Sequence, residues 1–368
     1  MTRAADPTAL ADQFRSFARQ ASPRSPLYGR LAEVAADDEA ILGILDETPT
    51  GQPRPVMLLA AVHFLLLGER DDPLAAYYPN LAGPIRGGVR GGVRAGDPAS
   101  AFRTFCERRQ GDLRAIVSSR TMQTNEVGRC TYLLLGMGVV ADEVGALAHV
   151  DVGASAGLNL LLDRYHYRYR SGDRATEVGP PGPVRLTCGT RRDPPVPRRL
   201  PRVAARRGLD RSPIDVRDPD QARWLEASVW PDQRDRLANL AAAIELVRSE
   251  RPEVVAGDAV DDVAAVVESV AGHGHPVVTN SVVLQYLSED RRREYVARLD
   301  DIGRRGDLSW VYAEAPGLTE GLPTPHAPSD ATNPGLTALV LARWRDGVRR
   351  VERLATCHGH GFWVHWQR

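Results

Sequence analysis

The sequence predicts an α/β protein in which a helical first part precedes a mostly parallel sheet with antiparallel strands at its C-terminal end. Up to about residue 145, apolar residues recur at helical spacing. From residue 147, short apolar segments alternate with helical ones, which is typical of a parallel sheet covered by helices. The last segments read as consecutive strands joined by tight turns. We therefore expect a helical domain over 1–145 and a sheet domain over 146–368.

Two segments organise the predicted helical domain. Asp6 and Pro7 form a helix-start pair, and the segment RPVMLLAAVHFLLLG over 54–68 predicts a buried helix that ends at a glycine. Between the later helices, the glycine-rich segment 83–98 predicts a loop.

The sheet domain begins with LAHVDVG, a buried strand over 147–153, followed by LNLLLDRY, which predicts a helix. The Pro-rich segment 170–207 is expected to be an insertion or long loop with one strand over 184–188. Strands that alternate with helices over 261–271 and 288–303 are then predicted from three apolar segments, EVVAGDA, PVVTNSVVLQYL and LSWVYAEAP. The last three strands, which close the sheet, are predicted from the segments LTALVLARW, VRRVERLATC and FWVHW.

Composition excludes several classes of protein. Forty-seven basic and 47 acidic residues leave no net charge, so a nucleic-acid partner is not predicted. The longest apolar run, 56–67, is shorter than the roughly 20 residues that span a bilayer. Four cysteines without C-x-x-C spacing indicate neither a disulfide framework nor a zinc ribbon. With no signal peptide recognised, we expect a cytoplasmic protein without a membrane partner, and leave a homo-oligomer open.

The segment DVGASAGLNLLL, 151–162, supports two interpretations. Its G-x-S-x-G core matches the nucleophile elbow of serine hydrolases, with Ser155 as nucleophile and Asp330 with His358 or His360 as partners in the required order. Against this, an α/β-hydrolase forms several strands before its elbow, and the first 145 residues read as helical. Alternatively, the small residues form a strand-to-helix turn whose main-chain amides approach a polar ligand.

Asp151, the small-residue turn and the later Gly-Asp-Ala at 257–259 resemble the class I S-adenosylmethionine-dependent methyltransferases. The resemblance implies a Rossmann-like sheet with S-adenosylmethionine as cofactor. It assigns cofactor-binding roles to Asp151, Gly153, Ala154, Ser155, Gly157, Asn159, Asp210, Asp258, Ala259, Asn280 and Ser281. Among these, Asp210 is the expected ribose carboxylate, with Asp215 in reserve, and Asp258 the residue near the adenine. Over nearly its full length the chain also resembles an uncharacterised bacterial family, through strings such as QTNEVGRC, VGASAGLNLLLDRY, WPDQ and VVAGDA.

Methyl transfer needs in-line placement of the acceptor and, for an acceptor that carries a proton, a base. QTNEVGRC, 123–130, gathers four polar side chains before an apolar run. If it is helical, Gln123 shares a face with Glu126 and Asn125 with Arg129. We predict Glu126 as the base, Arg129 as the partner of a substrate carboxylate, and Gln123 and Asn125 as substrate-binding residues. The alternative is a helix start capped by Asn125, with a surface pair of Glu126 and Arg129.

Three further residues are candidates because of their place along the predicted elements. Tyr286 follows the fourth strand and could act in catalysis, Glu314 ends the fifth, and Tyr78 near a helix end could line a substrate pocket. The tail CHGHGFWVH is expected to be a turn against the sheet, without a metal.

The predicted function is therefore S-adenosylmethionine-dependent methyl transfer to a small polar molecule. The alternatives are a protein that binds S-adenosylmethionine or a nucleoside without turnover, and a serine hydrolase that uses Ser155.

Overall fold

Eleven α-helices and eleven strands form over residues 7–82, 94–123, 125–315, 318 and 336–367, which the computed structural model describes. The helices are α1 (Pro7–Ala21), α2 (Pro26–Ala36), α3 (Glu39–Leu42), α4 (Arg54–Gly68), α5 (Ala99–Arg108), α6 (Gln110–Ser119), α7 (Cys130–Val144), α8 (Pro219–Ala227), α9 (Arg234–Glu250), α10 (Val263–Ala271) and α11 (Glu289–Arg305). The strands are β1 (Leu147–Val152), β2 (His166–Ser171), β3 (Arg174–Val178), β4 (Arg185–Arg191), β5 (Val203–Asp210), β6 (Val254–Ala256), β7 (His275–Ser281), β8 (Leu308–Glu314), β9 (Leu336–Arg345), β10 (Val348–His358) and β11 (Trp363–Trp366).

The chain divides into two compact units, Met1–Thr124 with Asp218–Ala238, and Asn125–Arg217 with Asn239–Arg368. The described residues of the first unit form helices around an apolar core that includes Phe14, Leu58 and Phe102. Helix α4 covers the residues predicted for it, 54–68. Most of the glycine-rich segment, residues 83–93, lies outside the described residues.

The second unit contains one sheet with the strand order β3-β2-β4-β11-β10-β9-β8-β7-β1-β5-β6. Strands β8, β7, β1, β5 and β6 are mutually parallel, and β8, β9, β10 and β11 pair antiparallel in succession. The chain is therefore a mixed α/β protein with a large, mostly parallel sheet. The antiparallel closing strands predicted from the tail are present.

Helices cover both faces of this sheet. Helix α10 packs on β1, β5 and β7, and α11 packs on β9 and β10, in a core that contains Trp310 and Tyr312. Val311, between them on β8, points to the opposite face because side chains alternate along a strand. There it meets α7 so closely that a Cβ on Gly136 would lie 2.6 Å from it. The sheet is therefore the middle layer between helices on its two faces.

Two predicted elements differ from the structure. The segment 170–207 carries β3, β4 and the start of β5 rather than one strand. The predicted helix LNLLLDRY is a 3-10 stretch, Leu158–Arg164. Its carbonyls at Leu158 and Leu162 accept hydrogen bonds from the hydroxyls of Tyr165 and Tyr167, both 2.6 Å, which replace regular helical partners.

Candidate functional site

The candidate site lies where the parallel strands end. Strands β1, β5, β7 and β8 finish at Val152, Asp210, Ser281 and Glu314, and we call this side of the sheet the carboxyl edge. Strands β5 and β6 extend the sheet on one side of β1, and β7 and β8 extend it on the other. Ligands of open α/β sheets bind outside the carboxyl ends at such a switch point.

Residues 153–157, the switch-point turn, follow β1, and three of these five residues have positive φ. Gly153 and Gly157 both have φ +76°, and Ser155 has φ +52°. A Cβ on Gly153 would collide with Cγ2 of Val283 in the loop after β7. Val282 in that loop also has positive φ, +60°, which is rare for a β-branched residue. Backbone strain of this kind concentrates at functional sites.

Most amides of the turn donate within the protein, contrary to the prediction that they face a ligand. The N–H groups of Gly153 and Ala154 donate to the carbonyl of Leu209, 2.8 and 3.2 Å. Ser155 N–H donates to Asp210 Oδ2, 2.8 Å, and Leu158 N–H to Asn125 Oδ1, 3.0 Å. The prediction was wrong because neighbouring strand ends and segment 125–129 supply acceptors that the local sequence does not reveal.

The hydroxyl of Ser155, in contrast, has no hydrogen-bond partner among the described residues, although the side chain is only 4% exposed. No histidine is therefore within hydrogen-bonding distance of it to act as a base, as a serine hydrolase requires. Of the proposed hydrolase partners, Asp330 lies outside the described residues. Ser155 is therefore a buried hydroxyl in the switch-point turn without the partner that a nucleophile needs.

Asp210 ends β5 beside the turn, at the position predicted for the ribose carboxylate. Its Oδ2 accepts from Ser155 N–H and its Oδ1 from Ser212 N–H, 2.8 Å each. A carboxylate offers about four lone-pair positions, so two remain for a ligand. Asp215, the reserve residue, is bonded to Arg217 instead.

Asp151 ends a buried chain of hydrogen bonds between β1 and β7. Thr279 donates to its Oδ1, 2.7 Å, and His149 Nε2 lies 2.8 Å from the same hydroxyl. Since the hydroxyl donates to Asp151, it accepts from His149 Nε2–H. Burial raises the pKa of Asp151 to about 7, against the opposing effects of Thr279 and, at longer range, Arg129. Burial lowers the pKa of His149 to about 3.

The raised pKa predicts a specific pH dependence of stability. Between about pH 4 and 7 folded Asp151 keeps a proton that the unfolded chain has released, so the free energy of unfolding falls as pH rises. Asp151→Asn should remove about 2–4 kcal/mol of this decline. Chemical denaturation from pH 4 to 8 measures it, with exposed Asp173→Asn as the matched control. An unchanged pH slope in Asp151→Asn would contradict the assignment.

Asn280 and Glu314, predicted to bind cofactor and substrate, are bonded to each other. Asn280 Nδ2 donates to Glu314 Oε1, 2.6 Å, and its Oδ1 accepts from Trp310 Nε1, 2.6 Å. Glu314 also accepts from the N–H groups of Val283, 2.8 Å, and Leu284, 3.3 Å. Burial raises the pKa of Glu314 to about 7. The pair thus holds the loop that packs against the switch-point turn.

Segment 125–129 is not α-helical, so the predicted sharing of helix faces was wrong. A 3-10 turn covers Val127–Arg129, and α7 begins only at Cys130. Glu126 caps the turn by accepting from Gly128 N–H, 2.9 Å, and its Oε2 lies 3.2 Å from His360 Nδ1. Cys130 Sγ in turn lies 3.3 Å from Asn159 Oδ1. Asn125 and Asn159 therefore bind protein groups at the base of the turn.

Arg129 is a buried cation, 8% exposed, at the carboxyl edge. Its Nε donates to the carbonyl of Gly359, 3.1 Å, and its Nη1 to the carbonyl of Ser281, 2.9 Å, with Ser281 Oγ at 3.4 Å. Within the described residues no carboxylate oxygen lies within 4.0 Å of it, so the alternative ion pair with Glu126 does not form. Asp151 and Glu314 experience its charge at longer range.

Asp258 and Tyr286, predicted for the adenine and for catalysis, follow β6 and β7 at the carboxyl edge. Asp258 follows β6 and pairs with Arg291, 2.7 Å, with Ala259 half-buried beside it. Tyr286 is 71% exposed. Gln123 and Tyr78 belong to the first unit, where Tyr78 is fully buried between the rings of Tyr28 and His63.

Two kinds of feature are absent from the described part of the chain. No group of three or more His, Cys, Asp or Glu side chains there could hold a metal ion. No helix in those residues has the length and apolar character to cross a membrane.

Sheet and site together define a mixed α/β protein with a candidate ligand site at a switch point. The chain belongs to the family described as "Uncharacterized protein conserved in bacteria (DUF2332)", whose model matches residues 11–366. The predicted membership of an uncharacterised bacterial family is thereby confirmed. Among solved structures, the chain is similar to an S-adenosylmethionine-dependent methyltransferase from Clostridium acetobutylicum ATCC 824. Identity is 11% and the TM-score 0.24, over 68% of this chain and 79% of that one. No curated protein matches the chain.

Proposed function

We propose that this protein binds S-adenosylmethionine at the carboxyl edge, on a Rossmann-like class I methyltransferase sheet, and transfers its methyl group to a small polar molecule. The observation that carries the proposal is Arg129, a buried guanidinium with no carboxylate within 4.0 Å among the described residues. A buried charge without a counter-charge is costly. A ligand that brings an anionic group to Arg129 removes that cost.

The methionine part of S-adenosylmethionine has both groups that this end of the site would bind. Its carboxylate suits the guanidinium of Arg129, which offers planar, charge-assisted donors. Its ammonium suits Asp151, since a nearby cation favours the ionised carboxylate that burial disfavours. One zwitterionic ligand group thus compensates two buried groups of opposite charge.

The nucleoside part fits the residues on the other side of β1. Asp210 retains two lone-pair positions for ribose hydroxyls, and the unpartnered hydroxyl of Ser155 is buried next to it. Asp258 and Ala259 follow β6 at the same edge, where the adenine is expected. When bound, the sulfonium supplies an activated methyl group. The protein's own task is then to orient the acceptor, exclude water and accept a proton. We place this activity in the cytoplasm, without nucleic-acid or membrane partners.

Titration calorimetry tests the proposal with S-adenosylmethionine and S-adenosylhomocysteine, and with ATP as a comparison ligand that lacks an amino-acid group. We expect both sulfur ligands to bind at one site per chain and ATP to bind far more weakly. Absence of binding by both sulfur ligands would contradict the proposal. Binding without formation of S-adenosylhomocysteine from S-adenosylmethionine in a metabolite extract would instead favour a non-catalytic binding protein. Fluorophosphonate labelling that is lost in Ser155→Ala would favour the hydrolase.

A further inference from the structure

The tail loop, which we define as the last residue of β10, His358, and residues 359–362 before β11, lies at the same edge of the sheet as the candidate site. Strand β10 is antiparallel to β9, which is antiparallel to β8, so β10 ends at the edge where β8 ends. The registers agree, because Glu314 pairs with Ala338 and Leu336 pairs with His358. The loop therefore follows a strand at its carboxyl end, as the switch-point turn does.

Segment 126–131 fixes this loop in place. Arg129 Nε donates to the carbonyl of Gly359, and Thr131 Oγ1 donates to the carbonyl of Gly361, 3.1 Å. Gly361 has φ +76°, and a Cβ there would collide with the carbonyl of Gly128. Since Arg129 also bonds Ser281 at the end of β7, one residue joins the tail loop to the switch point.

His360 is the residue of the tail loop whose side chain pairs with a carboxylate. Its Nδ1 lies 3.2 Å from Oε2 of Glu126, whose carboxylate is 7% exposed, while the imidazole itself is 37% exposed. His358, at the start of the loop, accepts from His360 N–H through Nδ1, 3.1 Å, and stacks on Phe362 at 4.6 Å between ring centroids. A carboxylate behind one ring nitrogen fixes the tautomer, so that Nδ1 carries the hydrogen and Nε2 is the basic nitrogen.

We infer that His360 is the general base of the proposed methyl transfer and that Glu126, predicted above as the base itself, positions it. This inference rests on the proposed function. The acceptor atom gives its proton to Nε2 of His360, and its electron pair forms the bond to the methyl carbon. The pair of the broken sulfur–carbon bond stays on sulfur and gives S-adenosylhomocysteine.

The inference also restricts the class of acceptor. An atom without a hydrogen, such as a thioether sulfur or a tertiary amine, needs no base and yields a permanently charged product. A hydroxyl, thiol or ring N–H must lose a proton during transfer. A histidine and carboxylate pair at the site predicts acceptors of the second kind, whose methylated products carry no new fixed positive charge.

The first readout needs no acceptor. Long-range proton–nitrogen NMR of the ¹⁵N-histidine-labelled protein, with S-adenosylhomocysteine present, should show His360 in the Nδ1–H form, with Nε2 unprotonated when the ring is neutral. Glu126→Leu, which removes the acceptor oxygen, should abolish that preference. His273→Gln is the control, because His273 is exposed and lies outside the site. This variant should lose only the His273 signal and leave the His360 signal unchanged. An Nε2–H tautomer in the wild type would overturn the inference.

The second readout is transfer of tritium from S-adenosyl-[methyl-³H]methionine to a polar metabolite extract. We expect His360→Gln to slow transfer at least about 100-fold. S-adenosylhomocysteine affinity by calorimetry should change less than about threefold, and His273→Gln should behave as the wild type. Three results would each overturn the inference. The first is an equal rate of transfer in His360→Gln and the wild type, and the second is labelled products that are permanent cations. The third is no transfer by a wild type that binds S-adenosylhomocysteine. Failure of the wild type to bind that ligand would instead identify the proposed function as the point of failure, and the inference would fall with it.

Discussion

Arg129→Gln should weaken binding of S-adenosylhomocysteine by about 30- to 1000-fold, while 5′-deoxy-5′-methylthioadenosine binds almost as it does to the wild type. The first ligand carries the amino-acid carboxylate and the second lacks it. Removing one partner of a buried, hydrogen-bonded charge pair costs about 2–4 kcal/mol in affinity. The comparison of two ligands by calorimetry therefore isolates the contact between Arg129 and the carboxylate.

Arg129 also holds the carbonyls of Gly359 and Ser281, so its loss affects the fold as well. The thermal midpoint of the variant records that effect separately. Arg350→Gln, an exposed arginine on β10 of the same sheet, is the matched control and should bind both ligands normally. An equal loss of affinity for both ligands would show that Arg129 only supports the structure, and the carboxylate assignment would be wrong.

Gly153→Ala should abolish measurable cofactor binding and lower the free energy of unfolding by about 2–5 kcal/mol. A left-handed backbone costs an L-residue about 1–2 kcal/mol, and overpacking adds about 1–3 kcal/mol. The new methyl group would collide with Val283, which packs against the turn from the loop after β7. Turn and loop would separate at the switch point, where the ligand is proposed to bind. Denaturant unfolding and calorimetry measure the two effects.

The control for this variant is Gly172→Ala, in the turn between β2 and β3. Gly172 has φ +57°, but nothing lies within 4 Å of a Cβ built there, so only the backbone cost of about 1 kcal/mol should appear. Val283→Ala in the Gly153→Ala background should recover part of the steric cost, in a double-mutant cycle. Equal destabilisation by the two glycine substitutions would show that the contact with Val283 is unimportant.

Much of the sheet was predictable because its residues carry local signals. The β1 segment is apolar and ends in Asp151 and Gly153, and the closing strands are separated by an Asp-Gly turn at 346–347. Strands β2 and β3 were missed although a signal exists. In HYRYR, Tyr167 and Tyr169 alternate with polar residues, and both are buried in the sheet. The segment fell between the helix predicted for 158–165 and the insertion predicted from residue 170, so its alternation was not assigned to a strand.

The site was only partly predictable because its hydrogen bonds join residues far apart in the sequence. Asp151, Gly153 and Asp210 were named through the resemblance to the class I methyltransferases, and they lie at or next to the ends of β1 and β5. The bond between Ser155 and Asp210 spans 55 residues, and the bond between Glu126 and His360 spans 234. No local pattern reveals such partners. That is why His360 was interpreted as part of a turn or as a hydrolase partner of Ser155, and Asn280 and Glu314 as ligand-facing residues.

The most direct test of the account is a crystal structure of the protein with S-adenosylhomocysteine. We expect the homocysteine carboxylate on the guanidinium of Arg129, its ammonium at Asp151 and the ribose hydroxyls on Asp210, all at the carboxyl edge between β1 and β7. A ligand bound elsewhere, or bound at this edge with its carboxylate directed away from Arg129, would contradict the central claim that the buried guanidinium is there to receive an anion.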